Sequence, residues 1–328
     1  MSRFRALLAS LRIPNAPSVV SNVWFGYMLG WFYWGGSHST ADELLRSISA
    51  GLCLYFAGNL ANDWFDRKWD AEHRPERAIP SGLFSPFSYL IAAIFLVING
   101  VLAAATLTYP ALYSAIGILL LIILYTWLHK RTRWAVIPMG LCRAGLYALG
   151  FFAIWPGPPD EPLHSYGFIS MADAYRSDVY RSYLFIATHA FGILIYIAGL
   201  SLAARYESVE HPPHGMVVLS RAMLLLPLAA MSAWWMYWYR LPAMIGLIPF
   251  TLWLTLALTR FRRPIPVFVS ALLAGIPLID LIAAIPLAVS LATPDLSLFE
   301  QPLLVATILV PVAAFGLGRL LQRVAPAT

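Results

Sequence analysis

The chain alternates between long apolar stretches and short polar segments. Ten of the stretches are long enough to cross a bilayer as helices, which takes about 20 residues each. They cover residues 17–35, 43–62, 87–107, 110–128, 134–155, 182–204, 217–238, 241–260, 265–292 and 301–321. Strand-like alternation is absent from the sequence, and in lipid a helix satisfies its own backbone hydrogen bonds. The pattern therefore predicts an all-α, polytopic transmembrane helix bundle of about nine or ten spans.

Composition agrees with this fold class. Of the 328 residues, 60% are hydrophobic and 12% are charged, and the mean hydropathy is +0.70. A soluble domain carries about 25% charged residues. No segment of the sequence reads as a separate soluble domain. We expect one domain over residues 1–328, with a core at 12–292 and an extra C-terminal span at 301–321.

The basic residues indicate how the chain is oriented. The net charge is +6, and the Lys and Arg residues are concentrated in the short segments between apolar stretches. Seventeen of them fall on one side of the predicted membrane and four on the other. The positive-inside rule places the richer side in the cytoplasm. We therefore expect a multi-pass protein of the inner or plasma membrane with both termini cytoplasmic, and no nucleic-acid partner.

A cluster of polar residues follows the second span. It contains Asn59, Asp63, Asp66 and Asp70. On a helix, where each residue turns 100°, these four side chains lie within an arc of about 60°. Carboxylates on one stripe repel each other unless a cation neutralises them, and Mg²⁺ prefers such hard oxygen ligands together with substrate phosphates. The alternative interpretation is an ordinary solvated helix end.

This cluster belongs to a longer motif. Residues 62–70 read Asn-Asp-Trp-Phe-Asp-Arg-Lys-Trp-Asp, and residues 74–82 read Arg-Pro-Glu-Arg-Ala-Ile-Pro-Ser-Gly. The two segments together resemble the first aspartate-rich motif of the UbiA superfamily of intramembrane prenyltransferases. The resemblance implies a UbiA-like helix bundle. It also implies Mg²⁺-dependent transfer of an isoprenyl group from an isoprenoid diphosphate to an aromatic or lipid acceptor within the membrane.

The resemblance also implies roles for individual residues. Asp63, Asp66 and Asp70 would be the catalytic carboxylates that hold Mg²⁺ on the diphosphate. The residues that would bind the diphosphate or its surroundings are Asn59, Asn62, Arg67, Lys68, Arg74 and Arg77. For each basic residue, membrane orientation is a competing explanation.

The second motif of the superfamily is thinner in this chain. At the end of the sixth span, Glu207 and Glu210 stand one turn apart, with Arg205 beside them. The two glutamates would replace the usual aspartates as metal ligands, with Glu207 also catalytic, and Arg205 would bind phosphate. Tyr196 lies on the same helix face as Glu207, which favours either substrate binding or packing against a neighbouring helix.

Two charged residues lie inside predicted spans. They are Arg143 in the fifth span and Asp280 in the ninth. A charge near the centre of a span costs at least ~2.5–3.5 kcal/mol and usually marks a paired or functional position. Two interpretations stay open: Arg143 faces the diphosphate, or it pairs with Asp280.

Two other functions compete with prenyl transfer. One is a transporter that uses Arg143 and Asp280 as a polar pathway, although transporter sites usually lie near the midplane and the polar cluster here lies at helix ends. The other is a catalytically silent relative that binds a prenyl diphosphate, which the thin second motif favours.

Overall fold

The structure is a computed structural model that describes residues 2–34, 41–157, 169–206, 213–292 and 301–325. Within these ranges the chain forms α-helices, short 3-10 turns and no strand. The helices are α1 (Arg3–Ser10), α2 (Ala16–Trp34), α3 (Ala41–His73), α4 (Pro86–Ala105), α5 (Tyr109–Leu128), α6 (Val136–Phe152), α7 (Ile169–Tyr206), α8 (His214–Trp238), α9 (Arg240–Thr259), α10 (Ile265–Ala274), α11 (Ile276–Leu291) and α12 (Gln301–Leu321). The predicted all-α bundle is confirmed.

Each predicted span coincides with one helix, except that α10 and α11 together form the ninth. Among the described residues, eight helical stretches are long and apolar enough to cross a membrane, and α6 is a shorter apolar helix. The protein is therefore an integral membrane protein. α2 does not belong to those eight stretches, although thirteen of its residues are buried in the bundle.

Helix ends differ from the hydropathy prediction at three places. α3 continues past the predicted end at residue 62 to His73, so the aspartate motif is helical. α7 begins at Ile169, within the segment that was predicted as a loop. The ninth span is interrupted at Gly275, two residues before Pro277, which has no N–H to continue the helical hydrogen bonds.

α2 and α6 pack so closely that only glycine fits between them. A Cβ atom on Gly26 would lie 2.2 Å from the carbonyl oxygen of Tyr147, and one on Gly150 would lie 2.0 Å from that of Val23. The two backbones therefore touch at both glycines. This contact holds Asn22 of α2 beside the polar side chains of α6.

Candidate active site

The predicted carboxylate stripe lies on the last turns of α3 and faces protein. Asn59, Asn62, Asp66 and Asp70 are buried, and Asp63 is partly buried. The interpretation of the stripe as a solvated helix end is therefore wrong. Buried carboxylates need partners of opposite charge or hydrogen-bond donors.

Basic side chains divide the three aspartates into two groups. The Arg77 Nη1 atom lies 3.4 Å from Asp63 Oδ1 and 3.0 Å from Asp70 Oδ2. Asp66 instead accepts from Lys130 Nζ at 2.9 Å and contacts His129 Nε2 at 3.0 Å. Over the part of the chain that the structure describes, no three acidic, His or Cys side chains converge as one metal site. The expected single set of three aspartate ligands is thus not assembled: Asp63 and Asp70 pair with Arg77 from the α3–α4 connection, and Asp66 contacts His129 and Lys130 from the segment just after α5.

The side-chain oxygen of Asn62 has no hydrogen-bond donor as a partner among the described residues. Its Nδ2 group donates to Asp66 Oδ2 at 3.4 Å, which fixes the orientation of the amide. Its Oδ1 atom is buried and accepts no hydrogen bond. A buried acceptor without a partner costs about 1–3 kcal/mol, and a hard cation satisfies it well. The amide oxygen of Asn62 and the carboxylates of Asp63 and Asp66 are hard oxygen ligands of the kind that Mg²⁺ prefers.

The segment before α2 is anchored on the same turns of α3. Arg12 adopts a left-handed backbone conformation with φ 48°. Its Nη1 atom donates to Asn59 Oδ1 at 2.7 Å, and Asn59 Nδ2 donates to the Leu11 carbonyl at 3.0 Å. The Tyr55 hydroxyl donates to the Arg12 carbonyl at 3.0 Å. Arg12 is thereby held against the asparagine that precedes the carboxylates.

A cavity of about 510 Å³ opens beside this cluster. The first group of lining side chains consists of hydrogen-bonding amides and bases, namely Arg12, Asn59, Asn62, Arg74, Arg77, His129, Arg143 and Arg205. The second group is apolar and includes Ile118, Ile122, Met139, Leu146, Ile197, Leu200, Val269 and Leu273. Among the described residues, no carboxylate lines the cavity. It therefore suits a ligand with an anionic head and a hydrocarbon tail.

Besides the three aspartates, three other predicted site residues are absent from the wall of this cavity. Arg67 turns back on its own helix, where Nη1 donates to the Trp64 carbonyl at 2.7 Å and the guanidinium lies 4.2 Å from the Trp64 ring. Lys68 is exposed. Tyr196 is fully buried and donates to the Leu272 carbonyl at 2.8 Å, so its contacts are those of helix packing.

Arg143 and Asp280 do not form the direct pair that was considered from the sequence. Arg143 Nη1 donates to Ser18 Oγ at 3.0 Å and to Asn22 Oδ1 at 3.3 Å. Asn22 Nδ2 donates in turn to both oxygens of Asp280 at 3.1 Å. The amide of Asn22 thus lies between the two charges, and Arg143 lines the cavity.

The second predicted motif is only partly visible. Glu207 and Glu210 lie outside the described residues. Arg205, at the end of α7, lines the cavity together with Arg74 and Arg77. The end of α7 therefore reaches the same cavity as the first motif.

Sequence reasoning missed His129, Lys130 and Arg12 as members of the site. Arg12 and Lys130 were interpreted only as orientation signals of the short basic segments, and His129 was assigned no role. The sequence signal that could have identified these residues was their predicted side of the membrane. The segments before the first span and after the fourth were both predicted to lie on the same side as the aspartate motif. Residues on one side of a bundle can meet although they are far apart in sequence.

The family comparison covers most of the chain. The model of the UbiA prenyltransferase family matches residues 23–273. A digeranylgeranylglyceryl phosphate synthase of Methanothrix thermoacetophila is 33% identical over 127 residues, which are 39% of this chain and 46% of that protein. A protoheme IX farnesyltransferase of Aeropyrum pernix is 34% identical over 133 residues, which are 40% of this chain and 44% of that protein. The chain thus spans under half the length of these two curated relatives.

A solved structure has the same fold. The apo structure of a UbiA homolog from Aeropyrum pernix K1 superposes with a TM-score of 0.50 at 14% identity, over 93% of this chain and 98% of that chain. At this identity the likeness concerns the arrangement of helices alone.

Proposed function

Because this chain belongs to the UbiA prenyltransferase family, we propose that it transfers an isoprenyl group from an isoprenoid diphosphate to a hydrophobic acceptor within the membrane. The observation that carries the proposal is the cavity beside α3, which joins a cluster of basic side chains to an apolar interior. A diphosphate requires the first and an isoprenyl chain requires the second. The two relatives described above are named a digeranylgeranylglyceryl phosphate synthase and a protoheme IX farnesyltransferase, which supports a lipid or aromatic acceptor.

The basic side chains bind and orient the diphosphate. Arg74, Arg77 and Arg205 approach the cavity from two different parts of the chain. A guanidinium offers a planar pair of N–H groups that matches phosphate oxygens. Several guanidinium groups around one diphosphate stabilise the negative charge that grows on it as the carbon–oxygen bond breaks.

The aspartates and Asn62 would hold Mg²⁺. When bound, the ion neutralises the diphosphate and improves it as a leaving group. Arg77 lines the cavity and is paired with both Asp63 and Asp70, so its guanidinium would contact the diphosphate beside the carboxylates that would hold the ion. Lys130 and His129 keep Asp66 compensated in the absence of the ion.

The apolar part of the cavity protects the reacting carbon. Side chains such as Ile122, Met139 and Leu200 would surround the isoprenyl group and exclude water, which would otherwise quench an allylic cation. We place this end of the bundle on the cytoplasmic side, because the basic residues that line the cavity belong to the side that is richer in Lys and Arg.

Binding without catalysis is a second candidate function. It is favoured by the pairing of all three aspartates with Arg77, His129 and Lys130, which leaves no assembled metal site among the described residues. A catalytically silent relative would bind the isoprenyl diphosphate without breaking the bond between the isoprenyl group and the diphosphate. A transporter is disfavoured because the basic cluster lies at helix ends.

A binding and turnover assay on purified protein tests the proposal. Wild type should be stabilised against heat by geranylgeranyl diphosphate together with Mg²⁺, and should release diphosphate when an extract of membrane lipids is added. Asp63→Asn should lose most of the Mg²⁺-dependent stabilisation.

The matched control is Glu72→Gln, which removes one negative charge from an exposed position on the same helix. Equal responses of Asp63→Asn and Glu72→Gln would refute the assignment, and binding without diphosphate release would favour the silent relative.

A further inference from the structure

A buried carboxylate lies where α2, α6 and α11 meet. Asp280 is fully buried. It accepts hydrogen bonds from Ser21 Oγ at 2.5 Å, from Asn22 Nδ2 at 3.1 Å and from the Tyr147 hydroxyl. Each of these donors is neutral. A charged residue inside a membrane span is costly, and such residues commonly serve a function.

Asn22 connects this carboxylate to Arg143. An amide has a donor side and an acceptor side. Because Nδ2 donates to Asp280, Oδ1 must point the other way, and there it accepts from Arg143 Nη1 at 3.3 Å. The carboxylate of Asp280 therefore determines that an acceptor, rather than a donor, faces the guanidinium.

Arg143 connects the network to the cavity. Ser18, Ser21, Asn22, Tyr147 and Asp280 are absent from the cavity wall, whereas Arg143 forms part of it. The two hydrogen bonds of its guanidinium to described residues both use Nη1. A guanidinium has five N–H donors, so the groups on Nη2 and Nε remain for a ligand. The guanidinium also lies 5.5 Å from the ring of Tyr55, another residue of the cavity wall.

We infer that Asp280 is a positioning residue for substrate binding. Its carboxylate orients the amide of Asn22, and that amide together with Ser18 holds Arg143 so that the free side of the guanidinium meets the substrate diphosphate. Asp280 itself does not touch the substrate. The inference rests on the proposed function, since it names a diphosphate as the ligand of Arg143.

The separation of the two charges is part of the arrangement. A carboxylate in direct contact would neutralise Arg143 and occupy its N–H groups. With Asn22 between them, Arg143 keeps a defined orientation and its positive charge remains accessible from the cavity. A merely structural ion pair would not need the intervening amide.

A double-mutant cycle on ligand binding tests the inference. The probe is geranylgeranyl diphosphate with Mg²⁺, titrated into purified, folded protein. Asp280→Asn places a donor where the carboxylate accepted, so the Asn22 amide can turn and present its N–H groups to Arg143. Binding should weaken about tenfold or more, because a hydrogen bond to a charged group is lost. In the Arg143→Gln background the same substitution should change binding by less than about twofold, because it acts through Arg143.

The matched control is Ser21→Ala. It removes one donor to Asp280 and leaves the Asn22 bridge in place. It should lower thermal stability and leave the affinity for the probe within about twofold of wild type, since the network members that face Arg143 are intact. If Asp280→Asn fails to fold, Asn22→Ala takes its place in the cycle with the same expected outcome.

The outcomes separate this inference from the proposed function. Wild-type affinity in Asp280→Asn, or an equal loss with and without Arg143, would overturn the positioning role alone. A wild-type protein that does not bind the probe would overturn the proposed function, and the positioning role with it.

Discussion

At the residue scale, Asn62 offers a direct way to test for the metal. Its Oδ1 atom is buried without a donor, so Asn62→Leu removes an unsatisfied oxygen at nearly constant size. We expect thermal stability without ligand to change little, since removing an orphaned acceptor gains about 1–3 kcal/mol and offsets the loss of the 3.4 Å hydrogen bond to Asp66, which keeps Lys130 and His129 as partners. Stabilisation by geranylgeranyl diphosphate with Mg²⁺ should fall strongly, because the ion loses an oxygen ligand.

The control for this prediction is Asn99→Leu on α4. Asn99 is exposed and its amide donates to the carbonyl of Phe95 on its own helix. This variant should keep the wild-type response to the ligands. A wild-type response in Asn62→Leu as well would mean that the Asn62 oxygen does not bind the metal.

The second residue-scale prediction concerns Arg77, and the effect of substituting it on thermal stability depends on Mg²⁺. Arg77→Gln leaves Asp63 and Asp70 without their cation, and Asp70 is buried. We expect a loss of roughly 1–3 kcal/mol, less than the 3–5 of a fully buried pair because Arg77 is partly exposed. Mg²⁺ alone should then stabilise the variant more than it stabilises wild type.

Thermal unfolding at several Mg²⁺ concentrations measures this effect. Arg67→Gln is the control, because among the described residues Arg67 makes its hydrogen bond and its cation–π contact with Trp64 of its own helix. If Mg²⁺ stabilises Arg77→Gln no more than it stabilises Arg67→Gln, the carboxylates do not attract the ion.

At this scale the sequence predicted which polar residues share one face of α3, but it did not predict which side chains would pair with them. Helical periodicity placed Asn59, Asp63, Asp66 and Asp70 on one face of the helix, and in the structure this face packs against protein. Periodicity carries no information about Lys130 or His129, which reach Asp66 from the turn that follows α5. The same applies to Asn22, whose place between Arg143 and Asp280 depends on how three helices pack.

At the scale of elements, the contact of α2 with α6 makes a clear prediction. Gly150→Ala would place a Cβ atom 2.0 Å from the Val23 carbonyl oxygen, which forces the helices apart. We expect a large loss of thermal stability and weaker binding of the diphosphate, because Ser18 and Asn22 would no longer hold Arg143 in place.

Gly117→Ala on α5 is the matched control. A Cβ atom there meets nothing within 4 Å. In a helix, alanine is more favourable than glycine by roughly 1 kcal/mol, so this variant should be as stable as wild type or slightly more stable. Equal stability of the two variants would mean that α2 and α6 can separate without cost.

The hydropathy pattern predicted which helices exist, but it placed the ends of some of them incorrectly. It detects the apolar part of a helix, and the last turns of α3 are helical and polar, with one face buried by protein. It likewise assigned residues 169–181 to a loop, although α7 includes them. The end of α3 depends on tertiary packing, which a window of mean hydropathy does not contain.

At the scale of the whole molecule, the sidedness of the bundle remains a prediction. The excess of Lys and Arg on the side of the cavity places that side, and both ends of the sequence, in the cytoplasm. A reporter enzyme that is active only outside the cytoplasm should give no signal when it is fused to the C-terminal end. Fusion after α8, near Tyr239, should give a strong signal. The reverse pattern would place the cavity on the outer side.

The polar network on α2 also has a consequence for biogenesis. α2 carries Ser18, Ser21 and Asn22, and it lies outside the eight stretches that are apolar enough to cross a membrane by themselves. Its partners Arg143 and Asp280 are synthesised much later, so the ribosome must complete most of the chain before those polar groups find their hydrogen bonds. We expect α2 to insert only unstably into the bilayer at first, and to be retained there only after α6 and α11 have been synthesised and inserted. Nascent chains arrested before residue 130 should therefore release α2 from the translocon more slowly than chains that contain α11, as site-specific cross-linking at Val19 would measure.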